Sequence, residues 1–599
     1  MAKRTELTTD DTPRGPGSYR RRARAKVYLK DPLALSSRGN FPIGEAIVSG
    51  DTSIAPGPTS SRFVVVDYDA STDRVYAPTK WRERVEHWSQ GQGEYLYDFA
   101  ASPGTRQEAQ INAWATAVDT LQLFEDEHVF GREVPWAFDG SRIRILPQAT
   151  YDANAFYSRQ TKALHFGYFA DRHDRPIKTS LSHDIVAHEA SHAILDGLRP
   201  SYLESVHPDA AGFHEYVGDA AAMLSLFRQR DFLRQLVMLN VKQRSFFNLV
   251  TELAPQVGEG LYGQADRAAL RTARNTLTYK QVEHETDPHV RGQVLSGLAF
   301  EVLEGVFHAR LDSPMGRERG QGRQEVFSAL MTAARHTMRM LLRPIDLLPP
   351  GNITFVEYIS VALAVDGHFF PDDGLGYRKI VEKAARKRGL HPSQHDYEYE
   401  IESEMPANSK LRERDIAMIR SSRVGAYRFL DANRKNFRIP SNRDFRVVGV
   451  GTNRRALGLG ERAVPETIVQ YLWEERIPLP RDVRSTALDH IVLRAGGTVA
   501  VDEYVNLVHW SPQMPTTLRR DALKEHAIRL IKDRAVDFAP VSGLITARPF
   551  VASKDDAGTI RMMLNTARMH RGRAHLRSSG ASAGQARARA AGASARHAR

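Results

Sequence analysis

The sequence predicts an α+β protein in three parts: a β-rich N-terminal portion, a helical middle, and a C-terminal region in which strands and helices mix. Three observations predict it. Between Lys26 and Tyr76, β-type runs such as "RFVVVDYD" alternate with turn clusters such as "APGPTSS". From there to about residue 390 helical spacing dominates, beginning with Ile111, Trp114, Ala115, Val118 and Leu121. β-type runs return at "FRVVGVGTNRR". At 599 residues the chain exceeds what one hydrophobic core usually organises.

The expected boundaries follow composition. Residues 1–25 are basic and rich in Pro, Gly, Ser and Arg, and are expected to lack structure; 26–105 form a small β-rich region. Residues 106–210 carry a helix over 107–124, a strand at "SRIRILP" and an extended piece turning back through "DANAFYSRQTKALHFGYFA". A helix follows that is capped by Ser182 and must end before Pro200. Residues 211–395 are helical, starting near Gly212, with Thr354 and Glu357 at capping-box spacing. A charged linker spans 396–440, a separate C-terminal α+β domain spans 441–570, and 571–599 is a tail with seven Arg and no acid.

Composition narrows the chemistry. The chain has no cysteine, so disulfides, thiolate metal sites and a cysteine nucleophile are excluded. No run of 18 apolar residues exists, so no membrane span is expected. Lys30 and Asp31 break the N-terminus where a leader would need an apolar stretch, which points to a cytoplasmic protein or one exported without a leader. The net charge of +12 gathers at the termini. Such tails can bind nucleic acid or another anionic partner, although without interleaved aromatics the plainer reading is a solvated tail.

The stretch "SHDIVAHEASHAILDGLRP" carries His188 and His192 four residues apart, and therefore on one face of a helix. Two imidazoles so placed can hold one metal ion, and Glu189 can reach a metal-bound water. A catalytic zinc takes three protein ligands, so a third is needed. Glu215, in "HEYVGD", lies 23 residues past His192 on the next helix, and Asp219 is one turn further, placed to bond the far nitrogen of a ligating His. The alternative is an ordinary helix with two satisfied histidines.

At these residues the sequence resembles the thermolysin-like zinc metallopeptidases, the gluzincins whose third ligand is glutamate. The resemblance extends to "NAFY" at Asn154 to Tyr157, followed by "LHFG", and to "HAILD" from His192 to Asp196. It implies a two-lobed fold, with a β-rich N-lobe, a helical C-lobe and the zinc helix between them. It also implies one zinc per chain on His188, His192 and Glu215, with Glu189 as general base and Asp219 and Asp196 supporting the ligands. Asn154 and Ala155 would bind the substrate backbone. His289, Tyr202 and Arg271 would stabilise the oxyanion, and Leu270 and Ile185 would line an apolar pocket.

The function implied is endopeptidase cleavage of a protein or peptide. Its rival is a catalytically silent peptidase-like scaffold whose basic tails engage an anionic partner. The family's paired-calcium acids are not matched after the glutamate helix, where Asp184 finds little to join it, so no calcium is expected. His165, His183, His207 and His214 are read as surface or supporting residues, and Met562 and Met563 as core.

Overall fold

In the computed structural model the described residues are 20–32, 43–49, 53–89, 92–205, 207–238, 247–262, 269–314, 316, 322–392, 417–420, 422–455, 464–483, 488–502, 507–537, 550–554 and 560–566. The tail 571–599 and residues 396–416 and 421 of the linker lie outside them. Among the described residues, no helix is long and apolar enough to cross a membrane.

The N-terminal portion contains β1 (Arg20–Tyr28), β2 (Ile43–Ser49), β3 (Phe63–Val65), β4 (Tyr68–Asp69), β5 (Arg74–Val75), β6 (Arg82–Ser89) and β7 (Gln92–Phe99). One sheet runs β2-β1-β7-β6. β1 begins inside the stretch expected to lack structure, which corrects that expectation for residues 20–25. The reason is strand alternation: Ala23, Ala25 and Val27 are buried, while Arg24 on the opposite face pairs with Asp98 at 2.7 Å.

Helix α1 (Arg106–Glu125) leads into β8 (Ile143–Tyr151), β9 (Ala155–Ser158), β10 (Ala163–Ala170) and β11 (Pro176–Lys178). The second sheet runs β11-β10-β8-β3, with β9 and β11 both pairing antiparallel with β10, at its opposite ends. Among the described residues no strand pairs with the other edge of β9. Gly167 sets the approach to β9. A Cβ there would meet Asp152 O at 2.1 Å and Asn154 O at 2.7 Å, so only glycine lets the turn before β9 lie against β10.

The helices α2 (His183–Leu198) and α3 (Pro208–Ser225) pack on each other and on α1. α3 starts before the expected Gly212. Pro208 fits the first helical position, and His207 Nδ1 accepts the Asp209 N–H at 3.2 Å. Then come α4 (Arg230–Met238), the short strand β12 (Glu252–Leu253), α5 (Pro255–Tyr262) and β13 (Arg271–Thr272), which pairs back with β12. The helical middle closes with α6 (Pro288–Leu311), α7 (Arg323–Leu341), α8 (Phe355–Phe369) and α9 (Tyr377–Lys387). The Thr354/Glu357 capping box opens α8 as the sequence predicts.

Past α10 (Arg423–Ala432), a sheet of β14 (Arg446–Arg455), β15 (Val464–Pro478), β16 (His490–Asp502) and β17 (Leu507–Gln513) is covered on both faces. Val469, Tyr471, Trp473 and Trp510 pack with α10 in one cluster. Ile468, Leu493, Ala500 and Val508 join the core shared with the helical middle. Arg494 NH2 reaches Glu204 at 2.6 Å, and Thr498 donates to the Leu348 carbonyl at 2.6 Å. The C-terminal residues are thus built into the rest of the protein rather than standing apart as the expected separate domain, because both faces of the sheet are apolar. Helix α11 (Thr517–Lys532) and a small sheet of β18 (Val536–Asp537), β19 (Phe550–Lys554) and β20 (Ile560–Leu564) complete the chain's described part. Met562 is buried in β20, and Met563 points to the other face by strand alternation.

One buried ion pair fastens the N-terminal sheet to α2. Lys30 Nζ lies 2.7 Å from Asp184 Oδ1, each side chain 2% exposed. Asp184 Oδ2 accepts the Ala254 N–H, Lys30 O accepts the His183 N–H, and Asp31 accepts the Gln256 N–H. Burial pushes the Asp184 carboxyl up, but Lys30 and His183 outweigh it and hold it below its ordinary value. The pair therefore stabilises the fold above the carboxyl's unfolded value of about 3.9, and that contribution is lost as pH falls through the folded value. Lys30→Met should cost about 3–5 kcal/mol at neutral pH by leaving Asp184 unpaired. Unfolding midpoints measured across pH check this: the penalty should shrink in acid, where the lone carboxyl takes up a proton.

Candidate metal centre

Three helices bring their polar side chains to one point. α2 supplies His188, Glu189 and His192, with the two histidine rings edge to face at 4.7 Å. α3 supplies Glu215, and α6 supplies His289 from its first turn, where Asp287 caps the helix and lies 3.1 Å from His289 Nδ1. Glu215 is the hub. Its carboxylate is 3.3 Å from His188 Nε2, 3.6 Å from His192 Nε2 and 3.1 Å from His289 Nε2. The far nitrogen of His188 faces Asp219 Oδ1 at 3.2 Å, and Ser296 donates to the other Asp219 oxygen at 3.0 Å.

The close approach of α3 to His188 has a specific cause. A Cβ on Gly218 would stand 2.4 Å from His188 Nδ1. Glycine at that position lets the ring lie flat on the helix that carries both of its acidic partners.

His188, Glu189, His192, Glu215, Asp219 and His289 are all buried, so charge balance is strict. Burial would raise the Glu215 carboxyl, but His289, His188 and His192 hold it well below the usual carboxylate range. Burial and Arg271 press the His188 imidazolium down, yet Asp219 and Glu215 outweigh them and lift it to about 9. The arrangement fits a divalent cation: imidazole nitrogens and a carboxylate converge, and both Glu215 oxygens are buried without a hydrogen-bond donor in place.

Glu189 is treated differently. Its Oε2 accepts the Tyr157 N–H at 3.1 Å, which ties it to β9. Ligand atoms of His188, Glu189 and His192 also come within 4.8 Å of one another, so Glu189 is near enough to act on whatever the histidines hold. Burial, reinforced by Glu215, raises its carboxyl to about 7.

A cleft of about 810 Å³ opens on this cluster. Asn154, Ala155, Ile185, His188, Glu189, Asp219, Leu270, Arg271 and His289 all line it, with Leu253, Val257 and Leu261 extending its apolar wall. Leu270 and Arg271 arrive there through the β12–β13 pairing. Of the residues expected to support an oxyanion, His289 faces the cleft. Arg271 does too, but its guanidinium is engaged by Asp219 Oδ1 at 3.1 Å and Glu215 at 3.6 Å.

Two expectations are corrected. Tyr202 does not reach the cleft: it is fully buried in a single turn after α2, and its hydroxyl donates to the Pro349 carbonyl at 2.8 Å. Pro200 starts that turn and directs the ring inward. Asp196, expected beside the histidines, instead takes the Tyr157 hydroxyl at 2.8 Å and the Arg159 guanidinium.

The other histidines have separate surroundings. His165 stacks on Phe156 at 4.5 Å, His183 sits beside Asp184, and His207 caps α3. His214 is buried 5.7 Å from the His192 ring, and burial pushes it down to about 3.

Sequence reasoning reached Tyr157 only as the last residue of the "NAFY" match, and it missed Gly218, Ser296 and Asp287. Of these only Asp287 had a local signal, the Asp-Pro start of a helix. No protein-family model matches the chain, and no curated protein is similar to it.

Gly218→Ala should displace His188 and weaken binding of a divalent cation at this cluster about 10–100-fold, the usual cost of disturbing a ligand's support. Glu215→Ala should weaken it further. Competition with a chromophoric chelator measures both, against an expected one ion per chain for the wild type.

Proposed function

We propose that this protein is a zinc-dependent endopeptidase of the thermolysin-like type, with His188, His192 and Glu215 as metal ligands. The observation that carries the reading is the convergence of His188 and His192 Nε2 on the Glu215 carboxylate, at 3.3 and 3.6 Å, with Glu189 at the edge of the same cleft. A zinc ion held there supplies Lewis acidity, which lowers the pKa of water and polarises a carbonyl.

The chain's own residues supply the rest. Glu189, with a carboxyl near 7, is matched to take a proton from water and return it to a leaving amine. The Tyr157 N–H holds one of its oxygens and ties the carboxyl to β9. His289, held at Nδ1 by Asp287 and at Nε2 by Glu215, lines the cleft and would turn its Nε2 from Glu215 toward charge developing on the substrate oxygen. Arg271 holds Asp219 and Glu215 in place. The wall of Ile185, Leu253, Val257, Leu261 and Leu270 favours an apolar side chain next to the cleaved bond.

The variant Glu189→Gln separates base from ligand. It should keep its zinc while cleavage of casein falls by about 10²–10⁴ or more, the range ascribed to general acid–base catalysis. Full activity in Glu189→Gln would sink the mechanism, and a zinc-loaded wild type that cleaves nothing would favour a scaffold.

A further inference from the structure

The edge of β9 that faces the cleft is partly covered by the chain's own C-terminal part. β9 uses one edge to pair with β10. The backbone groups of Tyr157 point away from that pairing, its N–H to Glu189 at 3.1 Å and its C=O to the Thr566 hydroxyl. Ala155, two residues earlier, has the same orientation by strand alternation and lines the cleft. An unpaired strand edge beside a cleft is a template for an extended peptide. Here Ala155 lines the cleft in which such a peptide would lie, and Tyr157 is occupied.

Thr566 is not there by accident of a loose end. It is buried, and two residues before it Leu564 donates its N–H to the Leu203 carbonyl, just beyond α2, at 2.7 Å. Behind it runs a chain of charges. Arg159, one residue past β9, binds Glu204 at 3.0 Å. Glu204 binds Arg494 of β16 at 2.6 Å. Arg494 and Arg561 of β20 share Glu474, at 3.3 and 2.8 Å. The end of β9, the loop after α2 and the last strand are thereby held together.

We propose that Asn565 and Thr566, just past β20, form an intramolecular strap on the peptide-binding edge of β9, limiting how far an extended substrate can pair along it. The inference rests on the peptidase reading for its consequence in cleavage, but the occupied edge can be tested by binding alone. Long, extended substrates must displace Thr566 from the Tyr157 carbonyl; short ones that need only Ala155 are unaffected.

The test compares the full chain with three variants: a chain ending at Leu564, a chain ending at His570, and Thr566→Val. Each is made in the wild-type and the Glu189→Gln background. A fluorescent, unstructured casein fragment is titrated into the zinc-loaded Glu189→Gln forms, and cleavage of casein and of a short peptide is followed in the others. Ending at Leu564 should tighten the fragment and raise kcat/KM on casein at least as much as Thr566→Val does, about fivefold or more, with the short peptide unchanged. Thr566→Val should give about fivefold, the worth of one neutral hydrogen bond. Ending at His570 should match the full chain.

Unchanged affinity in a folded, zinc-loaded chain ending at Leu564 overturns the strap. If that chain does not fold, Thr566→Val decides, and wild-type affinity in it overturns the strap as well. Tightened binding without cleavage in any form keeps the strap and removes the peptidase reading instead.

Discussion

A carboxylate sealed from water must be answered by positive charge from every direction, and Glu215 is so placed. It is 1% exposed, and its partners come from α2, α6 and β13. The packing of three helices is therefore bound to an electrostatic requirement. Were α2 or α6 to move away by a few ångström, Glu215 would be left charged in an apolar core. The same requirement explains why Gly218 and Asp219 neighbour each other on α3: one admits the His188 ring and the other bonds it.

Much of this arrangement was legible because it is local. His188, Glu189 and His192 share a helix turn, so their geometry follows from the 3.6-residue repeat. Glu215 and Asp219 follow in the same way once a second helix is granted. The β9–β10 turn, the α8 capping box and the ends of α2 were likewise written in short stretches of sequence. What could not be read was whatever depended on distant pairing. Lys30 and Asp184 are 154 positions apart, and Glu204 and Arg494 are 290 apart. Nothing in either neighbourhood announces the other.

Tyr202 shows a subtler failure. Its position in the chain is close to where an oxyanion tyrosine would lie, but the turn that begins at Pro200 rotates its hydroxyl toward Pro349. The C-terminal sheet failed for a different reason. Runs such as "YLWEERIP" do not say whether one face or both will be covered, and a sheet buried on both faces joins its neighbours instead of standing alone.

The network around Glu204 has a consequence for the order in which the molecule can be made. During synthesis α2 and β9 leave the ribosome long before β16 and β20, whose Arg494 and Arg561 complete the charges beside them. Until those last strands arrive, the Leu203 carbonyl and Glu204 have nothing to bind them from that side. The loop after α2 is thus left without its partners from that side until nearly the whole polypeptide has emerged.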